Sequence, residues 1–190
     1  MSAFTRWEFA FLILFLLWMQ WETAFASPSN MKAPWPGGLT FRCNQGNNGS
    51  FSHDTPQSIY AWDFGMPLGT PVVAADSGTV YQIGYKANGY GNYIVLKHQN
   101  GFFSIYGHLS EVTGQLRAFI HQGSMVGFSG STGNSTGPHL HFSMIDAKGY
   151  SLPSQFCDIG IPEEGCFYTS ANYPLSQRIQ FHKKTQPKPG

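Results

Sequence analysis

Charge is scarce in this chain of 190 residues: only 11% are Asp, Glu, Lys or Arg, and the formal net charge is +1. No basic stripe occurs before Lys183-Lys184 near the C-terminus. That argues against a nucleic-acid partner, since phosphate contacts need clustered positive charge. No segment after residue 26 keeps a helical hydrophobic period, and neither a fixed-period repeat nor a coiled-coil heptad is present. Cysteine is limited to Cys43, Cys157 and Cys166, with no CxxC spacing, which disfavours a zinc site built on thiolates. The HExxH helix motif of the common zinc proteases is missing. The Gly130–Gly137 run also lacks the Gly-Lys-Ser/Thr ending that makes such a loop cradle phosphate.

Long apolar runs are missing as well. The stretch Phe9–Met19 is eleven residues, short of the roughly 20 that cross a bilayer. With Arg6 before it and Ala24-Phe25-Ala26 after it, the pattern is that of a cleaved export signal over residues 1–26. The expectation is an exported protein, periplasmic or extracellular, starting at Ser27 and holding no stable membrane anchor; Glu8, Trp18 and Trp21 are unusual for a signal and leave an uncleaved anchor as the alternative. In an oxidising compartment Cys157 and Cys166 would close a short loop and leave Cys43 over, although other pairings remain open.

What is abundant is glycine, at 22 residues, and aromatic side chains, at 16%. With low charge, that balance suits a turn-rich, mostly β protein of one domain. Residues 27–43, with Pro28, Pro34 and Pro36, are expected as a linker or lead-in, 44–176 as the domain, and 177–190 as a disordered tail. Strands are expected at 70–75, 78–84, 92–98, 102–107, 124–128 and 139–145, with a further one at 152–156 and a short helix or irregular turn at 115–119. Asn100-Gly101 reads as a two-residue hairpin turn, which would set His108 opposite Tyr93.

The candidate chemistry lies in histidines and one carboxylate. In a strand over His139–Ile145, His139 and His141 share a face about 7 Å apart, while Leu140, Phe142 and Met144 take the apolar face. Asp63, within Ala61-Trp62-Asp63-Phe64, is a charge in an apolar run, costly unless paired, hydrogen-bonded or on a metal. His108 ends a hairpin strand, and His53 follows a Gly/Asn-rich loop. Two imidazoles and a carboxylate suit zinc with an open position, and the spare imidazoles suit proton transfer and oxyanion stabilisation. His98 reads as an ordinary sheet histidine, and His121 falls in a turn. Asn92, after Gly89-Tyr90-Gly91, either contacts a groove or starts a strand. The Gly130–Gly137 run reads as a flexible rim leaving room for an extended peptide.

Tyr106-Gly107-His108-Leu109, the run from Gly130 to Phe142 containing His139-Leu140-His141, and Gly69-Thr70-Pro71-Val72 with Gly78-Thr79-Val80 resemble the lysostaphin/LytM-type zinc peptidases of family M23. The resemblance spans about His53 to Ile145. It implies a compact antiparallel β-domain with long loops, a Zn2+ cofactor in a groove, and hydrolysis of peptide bonds in bacterial peptidoglycan. By motif, Asp63 and His141 would be zinc ligands, and His108 and His139 the catalytic imidazoles. The family's usual first histidine, four residues before the Asp, falls here on Ile59. His53, ten residues before Asp63, is taken as the third ligand instead. That departure leaves a second reading: an inactive relative that binds and regulates an amidase or the wall. A regulatory protein partner is compatible with either.

Overall fold

The computed structural model describes residues 30–173. The export signal expected over 1–26, with its bearing on a membrane anchor, and the tail expected over 177–190 lie outside them. No helix occurs among the described residues. The strands are β1 (Thr40–Gln45), β2 (Trp62–Gly65), β3 (Pro71–Val73), β4 (Gly78–Lys86), β5 (Gly91–Lys97), β6 (Phe103–Leu109), β7 (Glu111–Val112), β8 (Phe119–Ile120), β9 (Met125–Phe128), β10 (His139–Ile145) and β11 (Phe167–Thr169). They form an eight-stranded sheet in the order β11-β1-β2-β10-β6-β5-β4-β8 and a three-stranded sheet in the order β3-β9-β7. The strand pairs in both are antiparallel.

The period-2 pattern of β10 places the site. Leu140, Phe142 and Met144 point into the main core, where Phe142 packs on Trp62, Tyr106 and Phe156 with ring centroids 6.4, 5.2 and 5.3 Å away. Trp62 and Phe64 of β2 enter the same core, so the residue between them, Asp63, is left on the opposite face. Register then brings the chemistry together: His141 lies opposite Asp63 on β2 and opposite Gly107 on β6, and His139 lies opposite Gly65. A smaller apolar cluster holds Val95, Phe103 and Ile105, with Tyr90, Tyr93 and Ile145 against it.

Residues 30–43 are part of the packed body rather than a linker. Met31, Ala33 and Trp35 are buried in the main core. Trp35 meets the rings of Phe41 and Phe64 at 5.6 and 4.8 Å, and its Nε1 donates to Leu39 O at 2.9 Å. The prolines here break regular structure, but the apolar side chains between them still fill the core.

Other expectations change. The Asn100-Gly101 hairpin has a three-residue loop, with Lys97 opposite Phe103, His98 N donating to Phe102 O at 2.9 Å and Gly101 at φ 85°. A bulge between Asn92 and Ile94 shifts the ladder again, so Asn92 faces Leu109 and His108 does not pair with Tyr93. Residues 152–156 make no strand, as Pro153 has no N–H for a ladder; only isolated bridges form at Ser151 and Phe156. Residues 115–119 turn irregularly into β8, which pairs with β4. Finally, Cys157 and Cys166 remain free thiols, as does the buried Cys43. The backbone N–H of Cys157 is tied to Met31 O, whereas Cys166 O accepts from Cys43 N on β1, so the two anchor to different segments.

Candidate metal centre

Four stretches of chain deliver the five functional side chains. Asp63 comes from β2 and His139 and His141 from β10, while His108 sits at the end of β6 in a left-handed conformation, φ 59°. That conformation is uncommon for a residue with a Cβ and marks a place where surrounding structure holds the backbone. His53 comes from the loop after β1. There the backbone folds on itself through His53 N to Gly49 O at 3.0 Å and Asn48 N to Ile59 O at 2.7 Å. Ser58 Oγ donates to Ser52 O at 2.8 Å, and Gln45 Nε2 donates to Ser52 Oγ at 2.8 Å. This loop turns His53 inward until the side chain is wholly buried.

His53, Asp63 and His141 each offer one ligand atom, all within 4.8 Å of one another. His141 Nδ1 is 2.9 Å and His53 Nε2 3.4 Å from Asp63 Oδ1, and His139 Nε2 is 3.8 Å from Asp63 Oδ2. The rings of His108 and His139 are 4.5 Å apart, and His53 meets His141 at 5.4 Å. The structure therefore brings together all five residues singled out from sequence. His98 and His121 stay away: His98 bonds Ser77 O and Ser104 Oγ, each at 2.9 Å, and the exposed His121 meets the Phe119 ring edge-on.

Ring tautomers follow from the acceptors. A carbonyl oxygen can only accept, so a ring nitrogen facing one carries the proton. His53 Nδ1 faces Gly46 O at 2.9 Å, His108 Nδ1 faces Thr132 O at 2.8 Å, and His139 Nδ1 faces Gly137 O at 2.8 Å. In neutral rings, all three Nε2 atoms are then left as lone pairs. For His53 that lone pair points at a carboxylate oxygen 3.4 Å away, two electron-rich atoms with no proton between them. His53 Nε2 and His141 Nε2 are buried without a hydrogen-bond partner. Buried polar atoms are rarely left so, and a cation among His53 Nε2, Asp63 and His141 would relieve the first of these contacts.

The protonation states also suit a metal. Burial disfavours the charge of Asp63, but the His141 and His53 imidazoles against it hold the carboxyl well below the usual carboxylate range. Burial pushes the His141 imidazole down, more than the attraction of Asp63 raises it. Burial likewise lowers His108, to about 4, against the opposing pull of the Thr132 carbonyl. An ionised carboxylate among neutral imidazoles is the form that accepts a divalent ion.

His108, His139, His141 and Asp63 meet at an open cleft of about 820 Å³, with His53 buried behind them. Phe51, Glu164, Lys86 and Tyr90 also line the cleft, the last two from the β4–β5 hairpin. Tyr90 packs against His141 at 5.2 Å between ring centroids. Sequence reasoning assigned it no role; its place between Gly89 and Gly91, at the tip of a hairpin beside β6, was the available signal. Asn92 does not line the cleft, because its Nδ2 donates to Leu109 O at 3.0 Å.

Residues 57–153 match peptidase family M23. The chain belongs to that family. Zinc is the metal of M23 metallopeptidases, and the His/Asp/His donor set here fits it. The match begins after His53, so that residue joins the site from outside the matched span. Among relatives, the chain is 45% identical over 80 residues to the DD-carboxypeptidase/endopeptidase Mpg of Neisseria meningitidis serogroup B, covering 42% of this chain and 18% of that one. It is 43% identical over 87 residues to lysostaphin of Staphylococcus simulans, covering 45% of this chain and 18% of lysostaphin. The chain thus spans less than a fifth of the length of these relatives. Among solved structures, a mutant form of the catalytic domain of the prophage-encoded M23 protein EnpA from Enterococcus faecalis aligns with a TM-score of 0.53 at 26% identity. The alignment covers 60% of this chain and 87% of that one.

Proposed function

We propose that this M23 chain is an exported zinc metalloendopeptidase that hydrolyses peptide bonds in bacterial peptidoglycan. The observation that carries the reading is the buried His53 Nε2 facing Asp63 and His141, with two further imidazoles beside them in an open cleft. In this reading His53, Asp63 and His141 hold the metal, and His108 and His139 are catalytic. Bound zinc supplies a Lewis acid that polarises a carbonyl oxygen and lowers the pKa of water.

The chain's own residues supply the rest. His108 and His139 both present Nε2 lone pairs, so each starts as a proton acceptor for an attacking water. Whichever ring takes the proton becomes a cation. It can then stabilise the oxyanion at the tetrahedral carbon and return the proton to the leaving amine. Burial holds the His108 pKa below its ordinary value, so the ring is neutral and its Nε2 lone pair free near neutral pH. Asp63 stays ionised throughout and offsets the positive charge of the centre. Peptide-length substrate fits a cleft open on one side, and relatives named for peptidoglycan endopeptidase activity point to wall peptide as that substrate. Such a substrate places the enzyme outside the cytoplasm.

The test is incubation of the purified chain with peptidoglycan, followed by mass spectrometry of the released muropeptides. New peptide termini are expected with zinc, lost on chelation and restored by zinc. A folded, zinc-loaded chain that produces no new termini would overturn the reading.

A further inference from the structure

The Gly130–Gly137 run is pinned rather than flexible, and its anchor is Thr132. The Thr132 hydroxyl accepts from Asn92 N at 2.9 Å and donates to Leu109 O at 2.8 Å, so one side chain clips the run to both β5 and β6. Asn92 closes the same knot from β5, its Nδ2 donating to Leu109 O at 3.0 Å. Asn134 N donates to Gly89 O at 2.9 Å, fastening the next residues to the β4–β5 turn. Contact here is too close for side chains. A Cβ at Gly133 would collide with Gly91 N, and one at Gly91 would collide with the Thr132 backbone and Oγ1. The two glycines are thus explained by the approach of the run to β5.

This clip has a consequence for chemistry. The carbonyl of Thr132 is the acceptor for His108 Nδ1, at 2.8 Å, and the carbonyl of Leu109, next to His108, is where the Thr132 hydroxyl ends. One residue therefore grips His108 twice: its carbonyl fixes the ring, and its hydroxyl holds the left-handed backbone step from His108 into Leu109. We propose that Thr132 is a positioning residue for His108, whose hydroxyl keeps the ring in the Nδ1–H tautomer with Nε2 aimed into the cleft. The kinetic part of this proposal rests on the peptidase reading above; the tautomer part does not.

Thr132→Val keeps the shape of the side chain and removes both hydroxyl bonds, whereas Thr132→Ser keeps them. Long-range 1H–15N NMR of the zinc-loaded protein reads the tautomer directly. Wild type and Thr132→Ser should show His108 protonated at Nδ1, and Thr132→Val should show a mixture. On peptide substrate, Thr132→Val should lose about ten- to a hundredfold in kcat, the scale for residues that orient a catalytic group, with KM within about twofold and zinc content unchanged. Thr132→Ser should restore most of that loss. Where Thr132→Val folds poorly, Thr132→Ala adds no bulk and is expected to show the same shift. A single Nδ1–H tautomer with wild-type kcat in Thr132→Val or Thr132→Ala would overturn the proposal, as would a Thr132→Ser variant as impaired as they are. If wall peptide is not the substrate, the NMR comparison still decides it.

Discussion

Replacing His53 with alanine removes one of three donor atoms that converge within 4.8 Å, and leaves Asp63 and His141 to bind the metal alone. Residues that merely orient a ligand cost about ten- to a hundredfold in metal affinity when removed, so loss of a ligand itself should cost at least about a hundredfold. That is about 3 kcal/mol of binding free energy. Because zinc binds the folded chain, at a fixed saturating free-zinc level the stabilisation it confers should fall by the same amount. A body of this size moves in Tm by about 2–4 °C per kcal/mol, so the zinc-dependent rise in Tm should shrink by about 6–12 °C. The cavity left by the buried imidazole is present with and without metal and cancels in this difference. Thermal melts in zinc-buffered solution, run for wild type and His53→Ala with exposed His121→Ala as control, provide the assay. An unchanged zinc-dependent shift in His53→Ala would show that the loop histidine is not a ligand, and the reasoning from its unpaired Nε2 would fail.

Other outcomes follow from the same geometry. His108→Ala and His139→Ala should each retain about one zinc per chain by elemental analysis yet lose at least about a hundredfold in peptidoglycan cleavage, since each removes a proton acceptor; near-wild-type turnover in either would remove it from its role. Trp35→Ala should destabilise the chain by about 3–5 kcal/mol in urea melts, because the side chain is fully buried between Phe41 and Phe64; a loss under about 1 kcal/mol would make the lead-in dispensable. His98, whose imidazole burial holds below its ordinary value of 6.5, gives a pH dependence. The unfolded chain binds its proton more readily, so this contribution is complete above about pH 6.5 and is lost as pH falls through the lower folded-state value. Urea midpoints of zinc-free protein should therefore drop from pH 7 to pH 5, and His98→Gln should flatten part of that slope; an equal slope in both would contradict the assignment.

How much could be read before the fold was known depended on whether the information was local. The His139–Ile145 alternation is local, and it placed Leu140, Phe142 and Met144 in the core and both histidines opposite them. Asp63 was visible as a charge between Trp62 and Phe64, which the pleat then separates onto opposite faces. β1 and β11 were harder: β1 carries Arg42 and Asn44 among its apolar residues, and β11 has only three residues, so their pairing with each other and with β2 carries the assignment. The hairpin after β5 was misjudged by one residue because Asn-Gly serves both two- and three-residue loops. His53 was a candidate only because it lay upstream of Asp63. What delivers it is largely the loop's own hydrogen bonding, with His53 N donating to Gly49 O and its Nδ1 to Gly46 O, two backbone acceptors that leave no mark in residue type. For the same reason the Gly130–Gly137 run looked loose: small residues signal freedom unless their partner strand is known, and here the partner is β5 at contact distance.

Anomalous diffraction at the zinc edge, from crystals of the zinc-loaded protein, addresses the metal centre without relying on activity. One strong peak per chain is predicted, within about 2.0–2.2 Å of His53 Nε2, an Asp63 oxygen and His141 Nδ1, with His108 and His139 unligated. A peak that leaves His53 out, or no peak in a folded chain at saturating zinc, would contradict it.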